Sequence, residues 1–220
     1  MAKLVLAGGT DVAELALFDV DALVDDRPPD PALLNEAESR QAAVRFPTGA
    51  DGAYLLHAYL DEEIPAAVLK YCSADDKKSA VLSVVSGKLS FGGVESMYSK
   101  FNPNPSIRTD ALVKPGIYDV TAYRAEYPDG LIESAVKARI GTDGYRFLNA
   151  PGCIIPIALL LVVIARFLSG WIAAASIAGI SVVALSVFFR SGAFKRLNAE
   201  KRAVELDYPS IVVGMRLLDE

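Results

Sequence analysis

Cys153-Ile-Ile-Pro-Ile-Ala-Leu-Leu-Leu-Val-Val-Ile-Ala165, closed by Arg166-Phe-Leu-Ser-Gly170 and followed by nineteen uncharged residues from Trp171 to Phe189, decides how this chain is read. No polar face interrupts either run. The second matches the ~20 residues that cross a ~30 Å hydrocarbon core at 1.5 Å per residue. The first, Gly152 to Leu168, is seventeen residues long and carries Arg166 near its end. A long cationic side chain there reaches the headgroups by snorkelling, and Trp171 beside it suits the interface. Pro156 is read into the first turn of that helix, where its missing amide costs little. The two segments, 152–168 and 171–189, are expected to form a transmembrane hairpin turning at Ser169-Gly170. The alternative, a buried helical pair in a soluble core, lacks volume, because helices apolar on every side need protein around both.

Cations set the expected topology. Lys137, Arg139 and Arg146 precede the first span, and Arg190, Lys195, Arg196, Lys201 and Arg202 follow the second, with Arg166 alone at the turn. Both flanks are therefore expected on the cytoplasmic side. Arg166, Trp171, Arg190, Lys195 and Arg196 are the candidate membrane-interface residues. Ala175 and Gly179, with Ala178 and Ser186 nearby, have the small-residue spacing that lets helices approach closely in lipid, within the hairpin or between copies of the chain.

Outside residues 151–190 the chain looks like an ordinary domain. Its 220 residues, 52% apolar overall, allow one soluble domain plus an accessory element. Residues 1–150 carry 22 Asp and Glu against 15 Lys and Arg; residues 151–220 carry 5 against 7. An acidic domain argues against nucleic acid, which needs clustered cations, and suits a basic or membrane-acting partner or plain solubility. The run after Lys3 is too short for a signal-peptide core, so the domain is expected to stay in the cytoplasm. Cys72 and Cys153 lie in different parts of the chain, and no disulfide is inferred.

Strand signals recur through 1–150. Lys3 to Ala7, Glu14 to Phe18, Ala42 to Phe46 and Ala53 to Tyr59 are short apolar runs, the last two around the loop Pro47-Thr-Gly-Ala-Asp-Gly52. Val81 to Val85 and Lys88 to Phe91 flank Ser86-Gly87, which reads as a two-residue hairpin, and Gly92-Gly93 ends the second. From Pro115 to Arg124, Tyr118, Val120 and Ala122 alternate with polar residues, and Ile132 to Ile140 reads as a further strand. Pro31 to Ala42 and Pro65 to Tyr71 look helical. Phe194, Leu197 and Val204 put an apolar stripe on a basic helix over 191–206, which suits an anionic lipid surface or a solvated linker. Residues 207–220 hold a strand that returns to the N-terminal sheet, since a lone strand is unstable. The expectation is a mainly β domain, a β-sandwich or β-roll, with the hairpin inserted in it.

No catalytic constellation is visible. His57, the single histidine, sits in a strand run opposite Leu56 and Ala58, and with two distant cysteines no zinc spacing appears. Asp61-Glu62-Glu63 and Asp75-Asp76 follow no EF-hand pattern. Gly8-Gly9-Thr10-Asp11 lacks the lysine of a phosphate loop. No metal, cofactor or enzymatic activity is expected.

Four pieces, Asp11-Val-Ala-Glu-Leu-Ala-Leu-Phe-Asp19, Pro47-Thr-Gly-Ala-Asp-Gly-Ala-Tyr54, Gly87-Lys-Leu-Ser-Phe-Gly-Gly93 and Pro115-Gly-Ile-Tyr-Asp-Val120, give the chain a resemblance. It resembles an uncharacterised family of small bacterial β-domain proteins found beside secreted antibacterial toxins. The hairpin is a departure from that family. The resemblance implies an immunity-type role, blocking a toxin by binding it, and no catalytic residues. The alternative is a membrane-bound sensor or assembly subunit that recruits a cytoplasmic or envelope partner.

Overall fold

The computed structural model describes residues 3–22 and 26–218. Met1, Ala2, Asp219 and Glu220, at the edges of the sequence reading, lie outside the described residues. The chain divides into two units, 1–127 with 208–220, and 128–207.

Among the described residues the first unit holds nine strands in two sheets. β1 (Lys3–Thr10), β4 (Gly52–Leu60), β9 (Ile211–Leu217), β8 (Gly116–Arg124) and β5 (Lys78–Val84) form one, in that order. β3 (Ala43–Pro47), β2 (Glu14–Asp19), β6 (Lys88–Gly93) and β7 (Arg108–Leu112) form the other. Neighbours pair antiparallel except β4 and β9, whose parallel register sets Leu56 opposite Ile211. Period-2 alternation assigns the faces. Leu56 and Ala58 of β4, Tyr118, Val120 and Ala122 of β8, and Ile211, Val213 and Met215 of β9 share one core with Leu15 and Leu17 of β2 and with Leu89 and Phe91 of β6. The sheets therefore face each other across a common apolar layer.

Their margins are drawn together. On one side Gly9 N donates to Ile107 O at 3.0 Å and Thr109 Oγ1 donates to Ala7 O at 2.7 Å. A Cβ on Gly9 would lie 2.5 Å from Ser106 O, and one on Gly92 2.6 Å from Ile107 O, so both glycines are fixed by this close approach. The Gly8-Gly9-Thr10 motif thus has a structural task; Thr10 Oγ1 also accepts from Val12 N and Glu14 N. On the other side Ser83 N donates to Gln41 O at 2.7 Å.

Three sequence expectations are corrected. The runs either side of Ser86-Gly87 are strands, but β5 and β6 belong to different sheets, so the turn passes from one layer to the other. The carboxylate of Asp19, fully buried, accepts from Ser86 N at 2.9 Å, from Ser86 Oγ, and from Asp21 N at 3.0 Å. Asp19→Ala removes the acceptor of these donors at a fully buried position and is expected to cost about 1–3 kcal/mol, read as a lower denaturant midpoint of the full chain. Second, β6 continues through Gly92-Gly93, which pair with Ala16 and Leu15. Third, Ile132 to Ile140 is helical. Ile132, Val136 and Ile140 recur every four residues among Ala, Lys and Arg, a helix period that outweighs the β-branched residues. The two short helices are α1 (Pro31–Ser39), capped by Asp30 accepting from Leu33 N at 2.9 Å, and α2 (Ala66–Leu69).

The second unit is helical throughout. α3 runs Leu131–Ser169, broken at Gly141 (φ 77°, ψ 158°), so helix begins about twenty residues before the expected span. Pro151 and Pro156 lie inside it, not in a first turn, and each removes one amide donor. Gly170, at φ 85°, makes the tight reversal into α4 (Trp171–Arg190). Ser191 caps α5 (Gly192–Glu205), accepting from Phe194 N at 3.2 Å.

Candidate functional site

Where β3, β8 and β5 meet the first residues of β4 and β9, a cavity of about 470 Å³ opens in the β unit. Three cations reach its wall from three different strands. Arg45 of β3 is held by Glu14 at 2.8 and 3.0 Å and donates to Asn35 Oδ1 at 2.8 Å. Its guanidinium is pushed further above its ordinary value, first by the hydrogen bond to Glu14, so it stays charged. Lys78 of β5 bonds Glu38 at 2.6 Å and Arg45 O at 2.9 Å. Arg124 of β8 donates to Thr48 O at 2.7 Å, with no carboxylate partner among the described residues. Phe46, Tyr54, Tyr123 and Ile211 supply apolar wall, and Asp76 is the lining carboxylate. A concave, largely apolar site with a few fixed polar groups is built for binding. The sequence reading did not find it, because residues 45, 78 and 124 share no local spacing.

On the other face of β4 from Leu56, His57 is buried and its ring lies 6.4 Å from that of Tyr59, edge to face. Tyr127 packs between Tyr71 at 4.9 Å and Tyr208 at 5.2 Å and donates to Pro209 O. Burial, then Cys72 and the neighbouring tyrosines, raises the Tyr127 phenol far above 10.0. Tyr59 is raised by burial and then Cys72, Tyr118 by burial and then Asp61, and the Cys72 thiol by burial. The sign follows from proton counting. Above pH 10 the unfolded chain releases tyrosine protons that the folded chain keeps, so stability is full below pH 10 and falls as pH rises beyond it. Tyrosinate absorbance is expected to rise together with loss of circular dichroism. Complete ionisation of all nine tyrosines with the fold intact would contradict this.

The carboxylate runs do not converge. Glu62 and Glu63 line a groove with Asp119 and Arg216 on the five-stranded sheet, while Asp76 belongs to the cavity. Among the described residues no group of three or more His, Cys, Asp or Glu is placed to hold a metal.

In the helical unit, Leu131–Leu168 and Trp171–Arg190 are long and apolar enough to cross a membrane, and only 6% of the most apolar window of each is buried within the protein. α3 and α4 pack on one another. Residues drawn from solvent include Ala158, Val162 and Ala165 on α3 and Ala174, Ala178, Ser181 and Leu185 on α4, spaced three and four apart. Ala175 and Gly179 are not on that side. Both are exposed, and a Cβ on Gly179 would meet nothing within 4 Å, so Ala174 takes the close-packing place inside the hairpin. Arg166 lies 4.0 Å over the Trp171 ring, a cation–π pair at the reversal. At the other end Phe147, Phe188, Phe189 and Phe194 cluster, with centroids 4.7 to 5.6 Å apart between neighbours. Arg190, Lys195 and Arg196 are exposed beside this cluster. Leu197 packs on Gly144 and Glu200 pairs with Arg139 at 2.7 Å, so α5 runs back along the first part of α3.

No protein-family model matches the chain, and no curated protein sequence matches it either. Two solved structures are similar to part of it. The protein of crocagin biosynthetic gene J matches at a TM-score of 0.37 and 17% identity, covering 56% of this chain and 76% of that one. ComJ from Bacillus subtilis, an inhibitor of the DNA degrading activity of NucA, matches at 0.35 and 13%, covering 56% and 81%.

Proposed function

We propose that this chain is a membrane-anchored, non-enzymatic binding protein of the immunity type, which neutralises a bacterial toxin at the inner membrane. The observation that carries the anchoring is the bareness of α3 and α4. Apolar helices with 6% of their central window covered by protein need another apolar medium, and lipid supplies it. With Arg190, Lys195 and Arg196 beyond one end of the hairpin and Arg166 alone at the turn, the β unit and both termini lie in the cytoplasm. Self-association through the hairpin belongs to the same reading, with the open Ala175 and Gly179 face meeting a second copy.

The binding part is the β unit, whose 21 Asp and Glu stand against 13 Lys and Arg, a net charge of −8. Such a surface steers basic partners, and the cavity beside Arg124 offers a place to seat a carboxylate of the partner, from an acidic side chain or a C-terminus. Tethering raises the effective concentration where a membrane-acting toxin arrives, without new contacts. The test is killing by the toxin encoded beside this chain, with and without the chain present. Survival is expected with it; equal killing discards the toxin reading, and recovery of the chain from the soluble fraction discards the anchor.

A further inference from the structure

The stretch from Gly144 to Ala199 contains no Asp or Glu, although it holds five cations and the whole apolar hairpin. Four of the five gather at one level. Arg146 directly precedes Phe147, Arg190 directly follows Phe189, and Lys195 and Arg196 follow Phe194; the contacts among these phenylalanines fix the foot of the hairpin as one cluster. All four cationic side chains are exposed. Arg190, Lys195 and Arg196 have no carboxylate partner among the described residues. Arg146 has one, Asp143 at 3.8 Å, with the two side chains 77% and 100% exposed, a geometry that contributes almost nothing. Away from the foot Lys137 pairs with Glu133, Arg139 with Glu200 and Lys201 with Glu205, Arg166 lies over the Trp171 ring at the reversal, and Arg202 is exposed on α5. Four cations without a strong carboxylate partner thus gather where the apolar surface ends.

We propose that Arg146, Arg190, Lys195 and Arg196 form a collar that binds the phosphate groups of anionic phospholipids. This rests on the membrane-anchored reading and adds the lipid class. Arg146 lies eight residues before the exposed Ile154, about 12 Å along the helix. The headgroup layer is roughly 5–8 Å deep on each side, so a long cationic side chain at that level reaches the phosphates while the apolar helix enters the acyl chains. Guanidinium groups bond phosphate oxygens in pairs, and each cation near an anionic leaflet favours binding about five-fold. Nucleic acid offers the same phosphates but nothing for the adjoining apolar wall.

The full chain is extracted in mild detergent from membranes holding phosphatidylcholine and phosphatidylglycerol in equal amounts, and retained lipid is identified by native mass spectrometry. The ratio of retained phosphatidylglycerol to phosphatidylcholine is expected to be about tenfold above the input ratio, and this enrichment is expected to vanish in a variant carrying Arg146→Gln, Arg190→Gln, Lys195→Gln and Arg196→Gln. These exposed changes leave the packing of the phenylalanines intact, which unchanged helical circular dichroism verifies. Retained lipid that mirrors the input, or enrichment that survives the four substitutions, overturns the collar while the anchor stands. A chain that needs no detergent and carries no lipid overturns both.

Discussion

A chain cut after Asp207 is expected to lose its β unit altogether. β9 lies between β4 and β8, paired to the first from Leu56↔Ile211 and to the second from Tyr118↔Leu217, so its removal splits the five-stranded sheet into two separate pairs. It also withdraws Ile211, Val213 and Met215 from the shared core. Each such side chain contributes about 1.5–3 kcal/mol by burial, and with the ladder on both sides the loss matches the ~5–15 kcal/mol that holds a domain folded. The converse deletion should fold. Tyr127 and Tyr208 have ring centroids 5.2 Å apart, and Ala125 N donates to Ser210 O at 3.0 Å, so both ends of the helical unit leave from one place. Replacing 128–207 by a Gly-Ser linker of about four residues is expected to give a β protein that is monodisperse in plain buffer. Circular dichroism and gel filtration read both shortened chains. A folded truncation, or an unfolded excision, would refute this account of the sheet.

Charge placed in the middle of the hairpin separates lipid from water by the sign of its effect. Leu160 on α3 and Ile180 on α4 are 59% and 69% exposed, so Leu160→Arg with Ile180→Arg removes little protein contact. In water the double substitution would be neutral or would raise solubility. At the centre of a bilayer each arginine costs about 2.5–3.5 kcal/mol, enough together to move the chain from the membrane fraction to the soluble one or to degradation. Fractionation of cells expressing the two forms makes the comparison, and an unchanged membrane fraction would count against the anchor.

The hairpin and much of the sheet were legible because their signals are local. Unbroken apolar runs around Gly170 mark α3 and α4, and the alternation of Tyr118, Val120 and Ala122 gives both the existence of β8 and its inward face. The misreadings occurred where the deciding partner is remote. Ser86-Gly87 has the same look whether its strands pair or part, and what binds the turn is Asp19, sixty-seven positions earlier. β7 was not recognised: Arg108-Thr-Asp-Ala-Leu112 is polar for a strand, and its place is set by pairing with β6 and by Arg108, buried against Asp110 at 2.9 Å and Ser96 O. The cavity had no local signature, since Arg45, Lys78 and Arg124 meet only after both sheets have formed. The open side of Ala175 and Gly179 depends on helix rotation, and spacing fixes a stripe without saying which way it turns.

The place of β9 also dictates an order of events during synthesis. β4 and β8 leave the ribosome with their inner edges bare and wait through the eighty residues of the helical unit before the strand that joins them is made. Open edges are prone to mispairing, and distant contacts close slowly. The N-terminal part therefore cannot mature while it is being translated, and the helices emerge before any finished binding surface exists. A nascent chain stalled before residue 211 would be a ready client for chaperones.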